Sequence, residues 1–216
     1  GNPSSLHTAG EEARKALERT GPEKGGELFY AAQALVLLAQ GDPDKALGSL
    51  ESVPADFSKV EEIRMARLRS QIGAGQSLEA RVELELMAVK DEPYLPAVTL
   101  LGKLRHSLGD LDGARMLLGK SLRDHPGRLE ASVELALVLV DAGTAETLAE
   151  AEKLLDSLDG RLKDAPPTIA TRALYARGML HLGREQYQEA SEPLCEAARR
   201  MEKNVLATTR CARARR

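Results

Sequence analysis

Apolar residues recur at helical spacing along most of the chain. Leu28, Ala31, Ala32, Leu35, Leu38 and Ala39 fall on one stripe of a helix expected over 27–40. Gly41 follows, suited to the left-handed position that ends a helix because it has no Cβ. Asp42 then offers a cap for the next helix, and Pro43 stands at its first position, where the missing N–H costs nothing. The same punctuation returns on a fixed period: Gly41, Gly75, Gly109 and Gly143 lie 34 residues apart, and Asp110 repeats the cap after Gly109. Five residues after each of the first three glycines comes an alanine (Ala46, Ala80, Ala114), and four later a leucine (Leu50, Leu84, Leu118). Each period therefore predicts two antiparallel helices, A and B, with the glycine between them. The alanine lets A and B approach to roughly 8–10 Å, and the leucine fills the gap between units.

A 34-residue period with this Gly…Ala…Leu pattern resembles the tetratricopeptide repeat. The resemblance implies an all-α, right-handed α-α superhelix of about five helix-turn-helix repeats plus an N-terminal helix. The units expected are 27–60, 61–94, 95–128, 129–168 and 169–204, preceded by an N-terminal segment 1–26 and followed by a basic tail 205–216. Residues 11–19, with Ala13 and Leu17, read as a lone B helix, either a cap or the remainder of another unit. Seven residues before each glycine stand Ala34, Leu68, Gly102, Ala136 and Ala176, mostly small as in that family; Leu68 departs and is expected to splay the second unit. Ala151 and Leu155 come three residues late after Gly143, predicting a longer turn over 144–148. Ala190 and Leu194 come two late after Gly183, predicting a looser fifth unit. Pro93, Pro126, Pro166 and Pro167 punctuate the joins between units.

Composition agrees with helices. Aromatics make up 3% of the 216 residues, Trp is absent, and 29% are charged. A net charge of −3 disfavours nucleic acid as a partner of the body as a whole. Arg210, Arg213, Arg215 and Arg216 form an exception, read as a solvated tail or as a contact for an acidic partner, with 205–214 as material for a short closing helix. Cys195 and Cys211 stand sixteen apart with no CxxC or histidine pairing, which suggests neither a disulfide framework nor a zinc site. No apolar run approaches the 18 residues or so of a membrane span. The chain opens on Gly1 and reads as an excised or processed piece. Its Ala/Leu/Arg/Gly-rich composition suggests a bacterial source, with the cytoplasm first and the periplasm second as its compartment.

Candidate chemistry is sparse. Residues 1–14 resemble a segment near the start of cysteine desulfurases, which use pyridoxal phosphate, but the match covers fewer than 20 of 216 residues. The remainder is a helical array where that enzyme needs an alternating βα domain and a Schiff-base lysine, so the similarity is set aside. Residues 113–121 imitate a phosphate loop, yet five residues separate the glycines instead of four, and a helix interior has no free N–H groups to hold phosphate. His7, His106, His125 and His181 share no ligand spacing. The acids at Glu11, Glu12, Glu61, Glu62, Glu83 and Glu85 read as solvated faces. No catalytic, cofactor or metal residue is assigned, and no enzyme is expected.

The family resemblance implies a concave groove lined by the A helices that holds a peptide or a partner's helix. Its positions correspond here to Leu28, Ala31, Leu35 and Leu38; Glu62, Met65, Arg69 and Ile72; Pro96, Thr99, Lys103 and His106. They continue with Glu130, Val133, Leu137 and Val140, then Ala170, Ala173, Arg177 and Leu180, with His181 beside them. On one reading the apolar members pack against neighbouring A helices and the charges are ordinary surface. On the other, apolar ends flank a cationic middle of Arg69, Lys103, His106 and Arg177, suited to an amphipathic protein segment carrying acidic residues. The chaperone-binding members grip a terminal carboxylate with asparagines and lysines; the only asparagines here, Asn2 and Asn204, lie outside the array, which disfavours that ligand. The expected function is thus a protein-interaction scaffold. The alternatives are a homo-oligomer built through unpaired terminal faces, and a nucleic-acid or membrane-surface contact through the arginine tail.

Overall fold

A computed structural model describes residues 26, 28–89, 93–201 and 204–215 of the protein. The expected helix at 11–19 and the desulfurase-like stretch lie outside the described residues. The chain divides after Ala97 into two compact units. The first holds α1 (residues 28–39), α2 (Pro43–Glu51), a 3₁₀ turn (Ala55–Phe57), α3 (Glu61–Gly73) and α4 (Ser77–Ala88). The division falls in the first turn of α5 (Leu95–Ser107). The second unit continues with α6 (Leu111–Asp124), α7 (Leu129–Ala142), α8 (Ala145–Asp156), the short α9 (Asp159–Leu162), α10 (Pro167–Gly183), α11 (Tyr187–Arg200) and α12 (Val205–Ala214). The described residues are all-α with no strand, and within each unit successive helices pack in series as antiparallel hairpins.

Each A-to-B turn is built alike. One residue adopts the left-handed conformation, the next caps helix B, and the helix begins immediately after. Gly41, Gly75, Gly109 and Gly143 take the left-handed position, with φ from 69° to 85°. Asp110 completes its cap, its carboxylate accepting from the Gly113 amide at 2.9 Å. Thr144 and Thr147 form a reciprocal capping box before α8. Asp42 holds the cap position without a side-chain cap bond, its carboxylate pairing instead with Lys45 at 3.1 Å.

The last two turns differ from expectation. In the α10–α11 turn the left-handed residue is Glu185, with φ 61°, while Gly183 closes α10. Counted from Glu185, Ala190 and Leu194 fall at the usual five and nine residues, so this hairpin is not loosened. The small residue seven positions earlier is then Gly178, not Ala176. After Gly143 there is no longer turn either, because α8 starts at Ala145. The three extra residues lie inside α8, moving Ala151 and Leu155 one helical turn along, and Leu148 is buried where the earlier alanine stood. The phosphate-loop imitation at 113–121 lies within α6.

The repeated alanines and leucines form the seam. Ala46, Ala80, Ala114, Ala151 and Ala190 are fully buried, as are Leu50, Leu84, Leu118, Leu155 and Leu194. In the first unit Ala31, Ala34, Ala46, Leu50, Ile63 and Ala66 share a cluster, bordered by Tyr30, whose ring meets Phe57 at 6.5 Å. Leu68 is fully buried. In the second unit one continuous core runs from Ala114 on α6 to Ala214 on α12.

Residues 205–214, expected as a solvated tail with a closing helix as the lesser alternative, are helix α12, capped by Asn204 and laid against α11. Ala207 and Ala214 are buried there, and Cys211 is disulfide-bonded to Cys195. The sixteen-residue spacing carried no disulfide signal, because the pairing depends on α11 and α12 folding back antiparallel to bring the two Cα atoms to 4.7 Å.

Candidate partner-binding face

The A helices of the second unit, α5, α7 and α10, carry most of the residues singled out for the groove. Glu134 stands at the middle of α7 and is buried. Its carboxylate accepts from Arg172 on α10, through Nη2 at 2.7 Å and through Nε, and lies 3.6 Å from Lys103 Nζ on α5. Lys103 also lies 3.6 Å from Glu130. Two acids and two cations thus balance across three helices. A buried carboxylate held by a two-pronged guanidinium is well satisfied, whereas removing either side leaves a desolvated charge. Burial alone works to lower the pKa of Arg172, but the hydrogen bond and charge of Glu134 outweigh it, so the guanidinium is held above its ordinary value.

Two further residues of the expected middle, His106 and Arg177, also meet acids of the chain. His106 Nε2 lies 2.8 Å from Asp141 Oδ2. Arg177 donates to Asp156 at 3.1 Å, to the Leu155 carbonyl at 3.0 Å and to Asp159. Next along, Arg184 embraces Glu152 at 2.6 and 2.8 Å, and that hydrogen bond holds the Glu152 carboxyl below its ordinary pKa. His181 Nδ1 lies 2.9 Å from Gln186. Of the expected middle of Arg69, Lys103, His106 and Arg177, Lys103 and Arg177 are therefore neutralised by the chain's own acids, and His106 is hydrogen-bonded to one of them.

Val133, Leu137 and Val140 are buried in the second unit and present no surface to a partner. Val133 packs with Leu158 and Ala173, while Leu137 and Val140 belong to the continuous core. The reading in which apolar A-helix residues pack on neighbouring helices describes these three. In the first unit Met65 is buried, Leu38 is half-buried against the core and Gly73, both Arg69 and Ile72 are half-buried, and Leu35 is exposed.

One hollow opens on the A-helix face of α10. It has a volume of about 260 Å³ and is lined by Asp159, Leu162, Lys163, Ala170, Ala173, Leu174 and Arg177. Ala170, Ala173 and Arg177 belong to the groove list; Leu162 and Lys163 come from α9 and its end, an element the repeat pattern does not predict. Its signal was present as length: the fourth unit, 129–168, exceeds the period by six residues, and Leu158 and Leu162 stand four apart. Glu134 and Arg172 carried no such signal, since a charge in a helical stripe gives no hint of a partner 38 residues away. Among the described residues no three His, Cys, Asp or Glu side chains converge as metal ligands, and no helix is long and apolar enough to cross a membrane.

The sequence matches no protein-family model and no curated protein. Solved structures do match. A thermophilic TPR protein of Thermus thermophilus superposes with a TM-score of 0.69 at 21% identity, covering 88% of this chain and 98% of that one. A tetratricopeptide repeat protein of Parabacteroides merdae superposes with a TM-score of 0.51 at 14% identity, covering 99% and 93%. These likenesses, with the helical hairpins above, show that the chain has the tetratricopeptide-repeat fold.

Proposed function

We propose that this chain is a non-enzymatic protein-interaction scaffold, and that its second unit seats a segment of a partner protein at the hollow between α9 and α10. The observation that carries the reading is the hollow's make-up. Leu162, Ala170 and Leu174 supply apolar lining, and Lys163 stands exposed beside them. At about 260 Å³ it is below the roughly 300–1,000 Å³ of small-molecule sites, a size that suits one anchoring side chain. An apolar anchor followed by an acid fits best, the acid meeting Lys163, whose charge sets orientation and on-rate more than affinity. Because Lys103, His106 and Arg177 are already paired, they serve this scaffold by tying α5 to α7 and α10 to α8 and α9 rather than by gripping the partner.

The test is capture by the immobilised chain from a lysate of its source, comparing wild type with Lys163→Glu combined with Ala170→Glu. Both side chains reach the surface, so circular dichroism is expected to be unchanged while retention falls at least about tenfold, some 1.4 kcal/mol. Equal retention by both proteins rejects the hollow as the binding site. The Cys195–Cys211 bond supports an oxidising compartment, hence the periplasmic alternative over the cytoplasmic one. Mass spectrometry of the chain from its source decides that point: two free thiols reject it.

A further inference from the structure

Helix α4 breaks the rule that the outer face of a solenoid helix is polar. It buries Ala80, Leu84 and Met87 on one side. On the opposite side Leu78, Val82, Leu86 and Val89, the last just beyond the helix end, are 69%, 62%, 68% and 83% exposed. Spacings of four, four and three place them on one stripe within about 80° of arc. The matching offsets in α6 read Asp112, Met116, Lys120 and Arg123, and in α11 Gln188, Glu192, Glu196 and Arg199. Four apolar residues in those four places are peculiar to α4 among these B helices, and hairpin packing does not need them.

We propose that this stripe is a self-association surface, on which α4 of a second copy of the chain lies antiparallel. The arrangement of the face favours that occupant. Turned end for end about a point between Glu83 and Leu84, the stripe maps on itself: Leu78 meets the region of Val89, and Val82 meets Leu86. One edge carries Arg81 and Glu85, paired at 2.8 Å within the chain and both partly exposed. In the antiparallel arrangement Arg81 of each copy faces Glu85 of the other, giving two cross-pairs about the two-fold axis, as an isologous contact requires. The other edge carries Glu79 and Glu83, and Glu83 is answered within the chain by Arg64, from which it accepts at 2.8 Å. The stripe runs only about 16 Å along the helix, so the dimer is weak and concentration-dependent.

Sedimentation velocity over a range from low micromolar to several hundred micromolar tests this. Wild type is expected to shift from monomer to dimer across that range, and Val82→Glu with Leu86→Glu to remain monomeric throughout with an unchanged helical spectrum. Arg81→Glu and Glu85→Arg singly weaken the dimer several-fold, and the two together restore it, a pattern that general stickiness of an apolar face does not produce. A wild-type chain that stays monomeric to the top of the range overturns the proposal. So does a dimer that survives the double glutamate variant, or single charge changes that leave it unaltered. Capture of another protein through this stripe by a monomeric chain likewise rejects the second copy as its occupant.

Discussion

Gly178, Gly102 and Gly119 all lie inside helices, so replacing each by alanine brings the same gain in helix propensity, about 1 kcal/mol. What an added methyl group meets differs. At Gly119 the nearest outside atom is the Arg123 guanidinium at 3.6 Å, ordinary contact with a flexible tip. At Gly102 the Cβ would sit 2.7 Å from Leu118 Cγ and Cδ2. At Gly178 it would sit 2.5 Å from Leu194 Cγ and 3.0 Å from the Leu194 backbone nitrogen, so a rotamer change cannot relieve it and α11 must move. Overpacking of this kind costs about 1–3 kcal/mol. The balance is therefore a net gain of about 1 kcal/mol for Gly119→Ala, a loss of about 1 for Gly102→Ala, and a loss of about 2 for Gly178→Ala. In the second unit 1 kcal/mol corresponds to a midpoint shift of about 4 °C. Thermal melts followed by far-ultraviolet circular dichroism, compared on the same transition because stacked repeats need not unfold in one step, should rank the variants in that order. A Gly178→Ala protein as stabilised as Gly119→Ala would refute the close approach of α10 and α11.

Three further outcomes follow from other contacts. Glu185 bears the left-handed cost of about 1–2 kcal/mol that glycine avoids, so Glu185→Gly is expected to raise the midpoint by a few degrees; a lower midpoint means that its side chain secures the turn. Reduction, or Cys211→Ser, removes the closure of a sixteen-residue span worth about 3 kcal/mol, and should speed tryptic cutting after Arg210 and Arg213, whereas equal rates would show α12 held by packing alone. Glu152, held by Arg184, and Glu196, held first by Arg199 and then by Arg200, have carboxyls below their ordinary value of 4.5. Their contribution to stability is complete above that pH and is withdrawn as pH falls through the lower folded-state values. Melts from pH 7 to pH 3 should be level at first and decline below about 4.5, and Arg184→Gln should flatten part of the decline; an unchanged decline would show that this pair contributes nothing.

Much of the hairpin architecture was readable from residues close together in the chain. A left-handed glycine, a cap and an alanine-leucine seam are local devices, and the seam residues so named are buried. The two misread joins share one cause, the use of glycine as the marker of the turn. Glu185 adopts the left-handed conformation without being glycine, and α8 absorbs its extra turn within the helix, where no turn signal records it. The groove list fared unevenly for a different reason. A position on an A helix is common to core and groove, and the packing of α7 between its neighbours assigned Val133, Leu137 and Val140 to the core.

Periodicity and backbone preferences within a few residues fix the helices of the repeats, their order and the buried seam, but not α9 or the docking of α12. Packing between helices brings Glu134 to Lys103 and Arg172, brings Cys195 to Cys211, and makes α9 the wall of a hollow against α10. Each of these joins side chains on different helices, some more than thirty residues apart. The outcome rests on how helix faces are turned toward one another, a property no repeat period encodes.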